Sequence, residues 1–198
     1  MKYQKELKRL IKSAIYILVY PLYAIYFLLS GAARSDRTFS TFSQIFSLIP
    51  GRAGVYSRAA FYRLSCDNTS YNISVGFLTL LSHSNTTIER GVYIGPQCNI
   101  GMCTVSKDTL IGSGVHILSG NKQHHFNDKN TPIQEQGGEF RKISIGDDCW
   151  IGNGSIIMAD VGRKSIIAAG SVVTKPLPDL CIAAGNPAKI IRLREDAE

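Results

Sequence analysis

The stretch Ile145-Gly146-Asp147-Asp148-Cys149-Trp150-Ile151-Gly152-Asn153-Gly154-Ser155-Ile156-Ile157 decides how the chain is read. An aliphatic residue returns every six positions, at Ile145, Ile151 and Ile157. The same spacing holds in three more sets: Ile88, Ile94, Ile100; Val105, Ile111, Ile117; and Val161, Ile167, Val173. Gly follows the aliphatic at Gly95, Gly101, Gly112, Gly146, Gly152 and Gly162. Four positions after it stand small or β-branched residues: Val92, Cys98, Thr104, Thr109, Val115, Cys149, Ser155, Ser165 and Ser171. A period of six matches neither a helix nor a plain alternating strand. It fits a short strand followed by a sharp turn, with the aliphatic pointing inward and the small residue filling the corner. Three such hexads close a triangular coil. Successive coils stack at strand spacing, about 4.8 Å, so the aliphatics build one continuous core. A β-sandwich with Gly-rich turns would not hold this period through so many repeats.

Working outward, the register slips by one residue after Ile100 and by two after Ile157, which reads as tightened corners. Residues 65–87 are expected to add one or two irregular coils, with Ile73, Val75, Leu78 and Leu80 as apolar material. Residues 120–142 interrupt the repeat with a polar run containing His124 and His125, and an aperiodic insertion of this size points to function. The expected organisation is a mainly β repeat domain over 65–198, with the inserted loop 120–142 and a C-terminal cap over 176–198, preceded by a helical segment and connector over 1–64. The five cysteines are odd in number and form no C-x-x-C pair, which argues against a disulfide framework or structural zinc and favours a reducing compartment. Cys98 and Cys149 fall at corner positions and read as core residues.

The net charge of +7 is uneven. Residues 1–63 carry ten Lys/Arg and two acids, a net of +8, so the rest of the chain is close to neutral. The repeat therefore lacks the basic stripe of a nucleic-acid binder, and no nucleic-acid partner is expected. Residues 13–33 contain no charge, follow five Lys/Arg and precede Arg34. As a helix they are about as long as a bilayer core is thick. A signal peptide would explain the basic start and the small run Ser30-Gly31-Ala32-Ala33, but Pro21, four tyrosines and the unpaired cysteines oppose it. A spanning helix fits by length, though Pro21 and positive charge on both sides weaken it. The third reading is an interfacial or re-entrant anchor, with Tyr16, Tyr20, Tyr23 and Phe27 in one aromatic stripe. The plain alternative packs that stripe on the protein body. The expectation is a membrane-associated protein, anchored through residues 1–33 on the cytoplasmic face. Residues 34–64 show no period, and Ser47-Leu48-Ile49-Pro50-Gly51 reads as a turn.

With the repeat in view, Ile145–Gly152, Ile167-Ala168-Ala169-Gly170-Ser171-Val172-Val173-Thr174-Lys175 and Gly185-Asn186-Pro187-Ala188-Lys189 resemble the hexapeptide-repeat acyltransferases, above all the O-acetyltransferases of sugars and surface polysaccharides. The resemblance covers residues 65–194 and leaves the N-terminal segment outside. It implies a left-handed parallel β-helix, a homotrimer with active sites between subunits, acetyl-CoA as donor, a saccharide hydroxyl as acceptor and no metal. The family's general base matches His124, with the adjacent His125 as its rival. Its CoA contacts fall on Asn153, Ala169, Thr174, Lys175, Lys189 and Arg192. Where some relatives have Arg, Lys189 keeps the charge and loses bidentate phosphate binding.

The chemistry suits these residues. A neutral histidine removes the hydroxyl proton as attack on the thioester begins, backbone N–H groups at the coils hold the developing oxyanion, and the three cations meet phosphates. His83, projected about two coils from the inserted loop, is a candidate for acceptor binding. Trp150 either lines the cleft or packs beneath the loop. His116 is expected to face outward. An amino-sugar N-acetyltransferase, a non-catalytic scaffold, and a γ-type carbonic anhydrase using His83, His116 and His124 are the alternatives.

Overall fold

The computed structural model describes residues 2–31 and 34–194. Ala32 and Ala33 of the small-residue run, and the last four residues of the expected C-terminal cap, lie outside them. Three helices, α1 (Lys2–Ser30), α2 (Asp36–Ser47) and α3 (Gly51–Ser65), precede a run of short parallel strands. The chain is thus mixed α/β rather than mainly β. The stretch 34–64, expected to be a connector, is two packed helices.

From Ser74 to Ile157 the strands enter three sheets in rotation, so that every third strand shares a sheet; beyond that the third sheet continues only as single bridges. On the first sheet Val75, Ile94, Ile111, Ile151, Ile167 and Ala183 stand in register. On the second the column is Leu81, Ile100, Ile117, Ile157 and Val173. On the third it is Ile88, Val105 and Ile145, continued through single bridges to Val161 and Leu177. All these residues but Leu177 are buried. Each hexad of the sequence therefore delivers one aliphatic to one column, and the four sets are four rounds of the three sheets. In the earlier round Leu81 is the inward residue, because it pairs with Ile100.

The corners explain the rest of the repeat. On two of the three edges the backbone turns left-handed just before a buried small residue: at Leu78, Gln97, Gly114, Gly154 and Gly170 on one, and at Gly91, Asp108, Asp148, Lys164 and Leu180 on the other. The residues that follow on the first edge are Thr79, Cys98, Val115, Ser155 and Ser171. On the second they are Val92, Thr109, Cys149, Ser165 and Cys181, and all ten are buried. Several of their hydroxyls and thiols donate to carbonyls of the next round, as Thr109 Oγ1 does to Gly146 O (2.8 Å) and Cys149 Sγ to Gly162 O (3.1 Å). The glycine after an aliphatic answers a different demand, the close approach of the next round. A Cβ on Gly152 would lie 2.4 Å from Ala169 N. At the slip after Ile100 the buried residue is Cys103 rather than the expected Thr104, because Cys103–Val105 pairs with Ile143–Ile145. All five cysteines are free and buried. Burial pushes the Cys103 thiol up to about 12 and the Cys149 thiol up to about 11.

A stack of parallel strands has two open ends. The C-terminal end is covered by an antiparallel hairpin, Cys181–Gly185 with Ala188–Leu193. The other end is covered by the helices. Ser43 Oγ accepts from Leu81 N (2.9 Å), Asp36 Oδ1 from Ser84 N (2.9 Å) and Ser47 O from Leu78 N (3.1 Å). Arg58 is fully buried and ties the ends together. Its Nε donates to Val75 O (2.9 Å) and its Nη1 to Phe46 O (3.0 Å) and Ile49 O (2.8 Å). Arg58 thus leaves the basic surface that the charge count assigned it to. Above this lies an aromatic cluster in which Phe61 stacks on Phe46 at 4.6 Å and Tyr26 of α1 meets Phe39, Phe42 and Phe61.

Candidate functional site

The second sheet carries the site. Along its outer side, Leu80, Asn99, His116, Ile156 and Val172 occupy successive register positions. Asn99 and His116 each precede an inward isoleucine, so the alternation that buries Ile100 and Ile117 turns these two polar side chains outward. With Ser82, His83, Ser119 and Gln123 they line a cleft of about 130 Å³. His83 Nδ1 lies 2.8 Å from Ser82 Oγ, and its ring meets Phe140 at 5.6 Å. The returning arm of the inserted loop therefore reaches the first round, where His83 stands.

The loop leaves the stack after Ser119 and returns at Ile143. Its base is fastened by Arg141 N to Ser119 O (3.0 Å) and Glu139 N to Lys122 O (2.8 Å), and one step further out by His125 N to Gly137 O (2.9 Å). Its tip is held by Gln136, which donates to Asp128 O and Thr131 O (both 2.7 Å). His124 and His125 are exposed on the outgoing arm, next to Gln123 of the cleft. Among the described residues neither imidazole has a side-chain hydrogen bond.

The donor-side residues fall in three places. Asn153 and Ala169 are register neighbours at the edge between the first and second sheets, following the Ile151–Ile167 pair. Asn153 Oδ1 accepts from Ser113 N at 3.0 Å. Lys189 joins them, because it pairs with Ala184, which follows the Ala183 paired to Ile167. Thr174 and Lys175 follow Val173 at the opposite edge of the second sheet. Arg192 pairs with Ile182 on the outer side of the first sheet, in line with Ile166 and Trp150. Trp150 is 54% exposed and does not pack beneath the loop. It stands in an outward row with Tyr93, Leu110, Ile166 and Ile182. Within one chain the structure brings His83, His116 and the base of the His124 loop together on the second sheet, and puts Trp150 and Arg192 on the first. Among the described residues no three His, Cys, Asp or Glu side chains form a group able to hold a metal ion.

Sequence reasoning missed Asn99, Ser82, Ser119 and Gln123. The signal was present for Asn99: it holds the same place before Ile100 that His116 holds before Ile117.

Comparison with known proteins agrees with this architecture. Residues 142–175 match the family model described as the hexapeptide repeat of succinyl-transferase. The galactoside O-acetyltransferase of Escherichia coli is 36% identical over 123 residues, covering 58% of this chain and 57% of that protein. The crystal structure of a maltose O-acetyltransferase from Clostridium difficile superposes with a TM-score of 0.69 at 22% identity, covering 81% of this chain and 87% of the other. A galactoside acetyltransferase in complex with coenzyme A gives a TM-score of 0.59 at 23% identity, covering 81% and 82%. The chain resembles hexapeptide-repeat acetyltransferases, with the repeat itself matched over residues 142–175. It spans between about a third and two thirds of the length of other curated relatives that it matches (31%, 46% and 65%).

Proposed function

We propose that this chain is an acetyl-CoA-dependent O-acetyltransferase acting on a hydroxyl of a saccharide, such as a surface polysaccharide or its lipid-linked precursor. It works as a homotrimer of left-handed parallel β-helices. The observation that carries the reading is the pairing of an exposed histidine loop with a polar cleft on the sheet that also bears Thr174 and Lys175. The galactoside and maltose O-acetyltransferases among its relatives support the substrate class. The trimer is supported by the split site: one chain's first sheet, with Trp150 and Arg192, would face the second sheet of its neighbour.

In this scheme the acceptor lies in the cleft, oriented by His83 and Asn99. His124 accepts the proton of the attacking hydroxyl, and His125, on the adjacent position of the arm, is its rival. A positioned histidine contributes roughly 10²–10⁴-fold. The donor supplies a thioester carbonyl. The chain's own residues fit the donor's anionic end: Lys175, Lys189 and Arg192 are exposed cations without an ion-pair partner among the described residues. Five unpaired, buried thiols agree with a cytoplasmic setting.

The test is thiol release from acetyl-CoA across a panel of saccharides. Wild type turns over with at least one acceptor. His124→Ala lowers kcat by at least about a hundredfold with the unfolding midpoint unchanged, while His125→Ala costs less than tenfold. Equal rates for wild type and His124→Ala would remove the proposed base. No turnover with any acceptor would favour a scaffold.

A further inference from the structure

Helix α1 is apolar on both sides, and only one side is covered. Val19, Tyr26 and Ser30 are buried on the inner side, with Tyr16 and Tyr23 half-buried. On the opposite side Leu10, Ile17, Leu18, Ile25 and Leu28 share one face at helical spacing, and Leu18 and Leu28 are 73% and 79% exposed. The aromatic stripe expected from sequence is therefore divided. Tyr16 and Tyr23 turn toward the body, Tyr20 and Phe27 are exposed, and Tyr26, outside the stripe, is the deepest aromatic.

The outer face has a cationic border. An open groove beside it is lined by Ser13, Tyr16, Ile17, Tyr71 and the exposed Arg63 of α3. Lys12, on the inner side of α1, sits over the Tyr71 and Tyr56 rings at 5.4 and 5.7 Å and so holds the helix to the body rather than bordering the outer face. By sequence, Lys2, Lys5, Lys8 and Arg9 stand on the preceding turns with a single acid, Glu6. An aliphatic face bordered by cations complements the surface of an anionic bilayer.

We propose that α1 is an in-plane anchor, docking its outer face into the surface of an anionic membrane with Arg63 at the phosphate level. Length and composition alone would also allow a span from Leu10 to Ser30. The packing excludes it. α1 is fastened to the first round by the Tyr71 hydroxyl on Lys12 O and by the Tyr16–Tyr71 ring contact. It is fastened to α2 and α3 by Tyr26. Those contacts extend over about 20 Å of helix. Crossing a bilayer would break them, or else carry Arg63 and the Arg34–Asp67 ion pair into hydrocarbon. The helices cap the round that carries Ser82 and His83. On the acyl-transfer reading, which this consequence alone rests on, the acceptor end of the cleft lies toward the bilayer and the acceptor is a saccharide carried on a lipid.

The experiment is flotation of the full-length protein with vesicles of phosphatidylcholine, or of phosphatidylcholine with one third phosphatidylglycerol. Binding to the anionic vesicles is expected to exceed binding to the neutral ones at least tenfold and to weaken with salt. Leu18→Glu with Leu28→Glu abolishes it at an unchanged unfolding midpoint, Arg63→Ala weakens it several-fold, and millimolar inorganic phosphate does not displace it. In a Trp150→Phe background, single tryptophans at positions 10, 18 and 28 are quenched equally by shallow brominated lipids. Deep quenching at position 18 alone would mean a spanning helix and overturn the proposal. So would vesicle binding that the double Glu variant leaves intact, or a lipid-free oligomer which that variant dissolves. His124→Ala leaves binding unchanged, so docking and acyl transfer fail separately.

Discussion

The two halves of the molecule handle apolar side chains in opposite ways. In the repeat body the aliphatic that recurs every six residues goes inside, into one of three columns, and the outer sides of the sheets carry a mixture of polar residues, such as Asn99 and His116, and apolar ones, such as Leu110 and Ile166. In the N-terminal region aromatics do the internal packing, a buried arginine bridges the joint, and an aliphatic face is left outside. Both regions are rich in apolar residues, so composition cannot separate them. The body solves one local problem repeatedly. The cap solves a single problem, closing the exposed end of a parallel stack, and its outer surface is free for another partner.

The largest contrast comes from two truncations of similar chemistry. Ile151→Ala removes a fully buried side chain between Ile111 and Ile167 and is expected to cost about 2–5 kcal/mol by denaturant titration. Leu28→Ala, on the outer face of α1, is expected to change stability by less than about 0.5 kcal/mol. A similar cost at both sites would break the distinction between an inside and an outside apolar set. The joint comes next. Arg58→Met keeps much of the volume but strands the carbonyls of Val75, Phe46 and Ile49, and should cost about 3 kcal/mol. Hydrogen exchange should rise at Leu81 and Ser84, the amides that the cap covers, and stay slow at Ile151. Uniform acceleration would mean that cap and body unfold as one unit.

A pH dependence sharpens the interior of the body. Cys103 and Cys149 are held up at about 12 and about 11 by burial, against about 8.5 for an unfolded thiol. The folded state retains protons that the unfolded state loses, so the thiols' contribution to stability is fully present below about pH 8.5 and is lost as pH rises toward 11. Each thiol contributes a slope of about 1.4 kcal/mol per pH unit in that window. Cys103→Ala with Cys149→Ala should lower that slope and leave the part due to Cys66 and Cys98, whose thiols burial also pushes up, and a wild-type profile already flat from pH 9 to 11 would show that the thiols ionise in place.

The legible parts of the fold were those governed by a repeated local rule. The columns were set by the six-residue period, and the corners by the small residues four positions after each aliphatic. Cys98 and Cys149 read correctly as core because their positions repeat. Cys103 did not, since the slip beside it moved the inward residue by one. Helices α2 and α3 were invisible because Phe39, Phe42 and Phe46 recur too briefly to stand out beside polar residues, and their partners, Tyr26 and the edge of the first round, are distant in sequence. Arg58 counted as one more surface cation, since the carbonyls that hold it belong to three separate segments. In the candidate site, His124 and the loop were visible as an interruption of the period. The nearness of His83 to that loop depended on counting rounds, and Phe140 closes the gap. The placement of Trp150 and Arg192 on a different sheet from His83 could not be read locally, because it follows from which third of a round each residue occupies.

The most direct test of the account is a calorimetric titration of the detergent-solubilised, full-length protein with acetyl-CoA, run beside Lys175→Ala. The account predicts saturable binding that Lys175→Ala weakens about tenfold, as expected for losing one charge-assisted contact to phosphate. A folded protein with an intact unfolding transition that takes up no acetyl-CoA would contradict it.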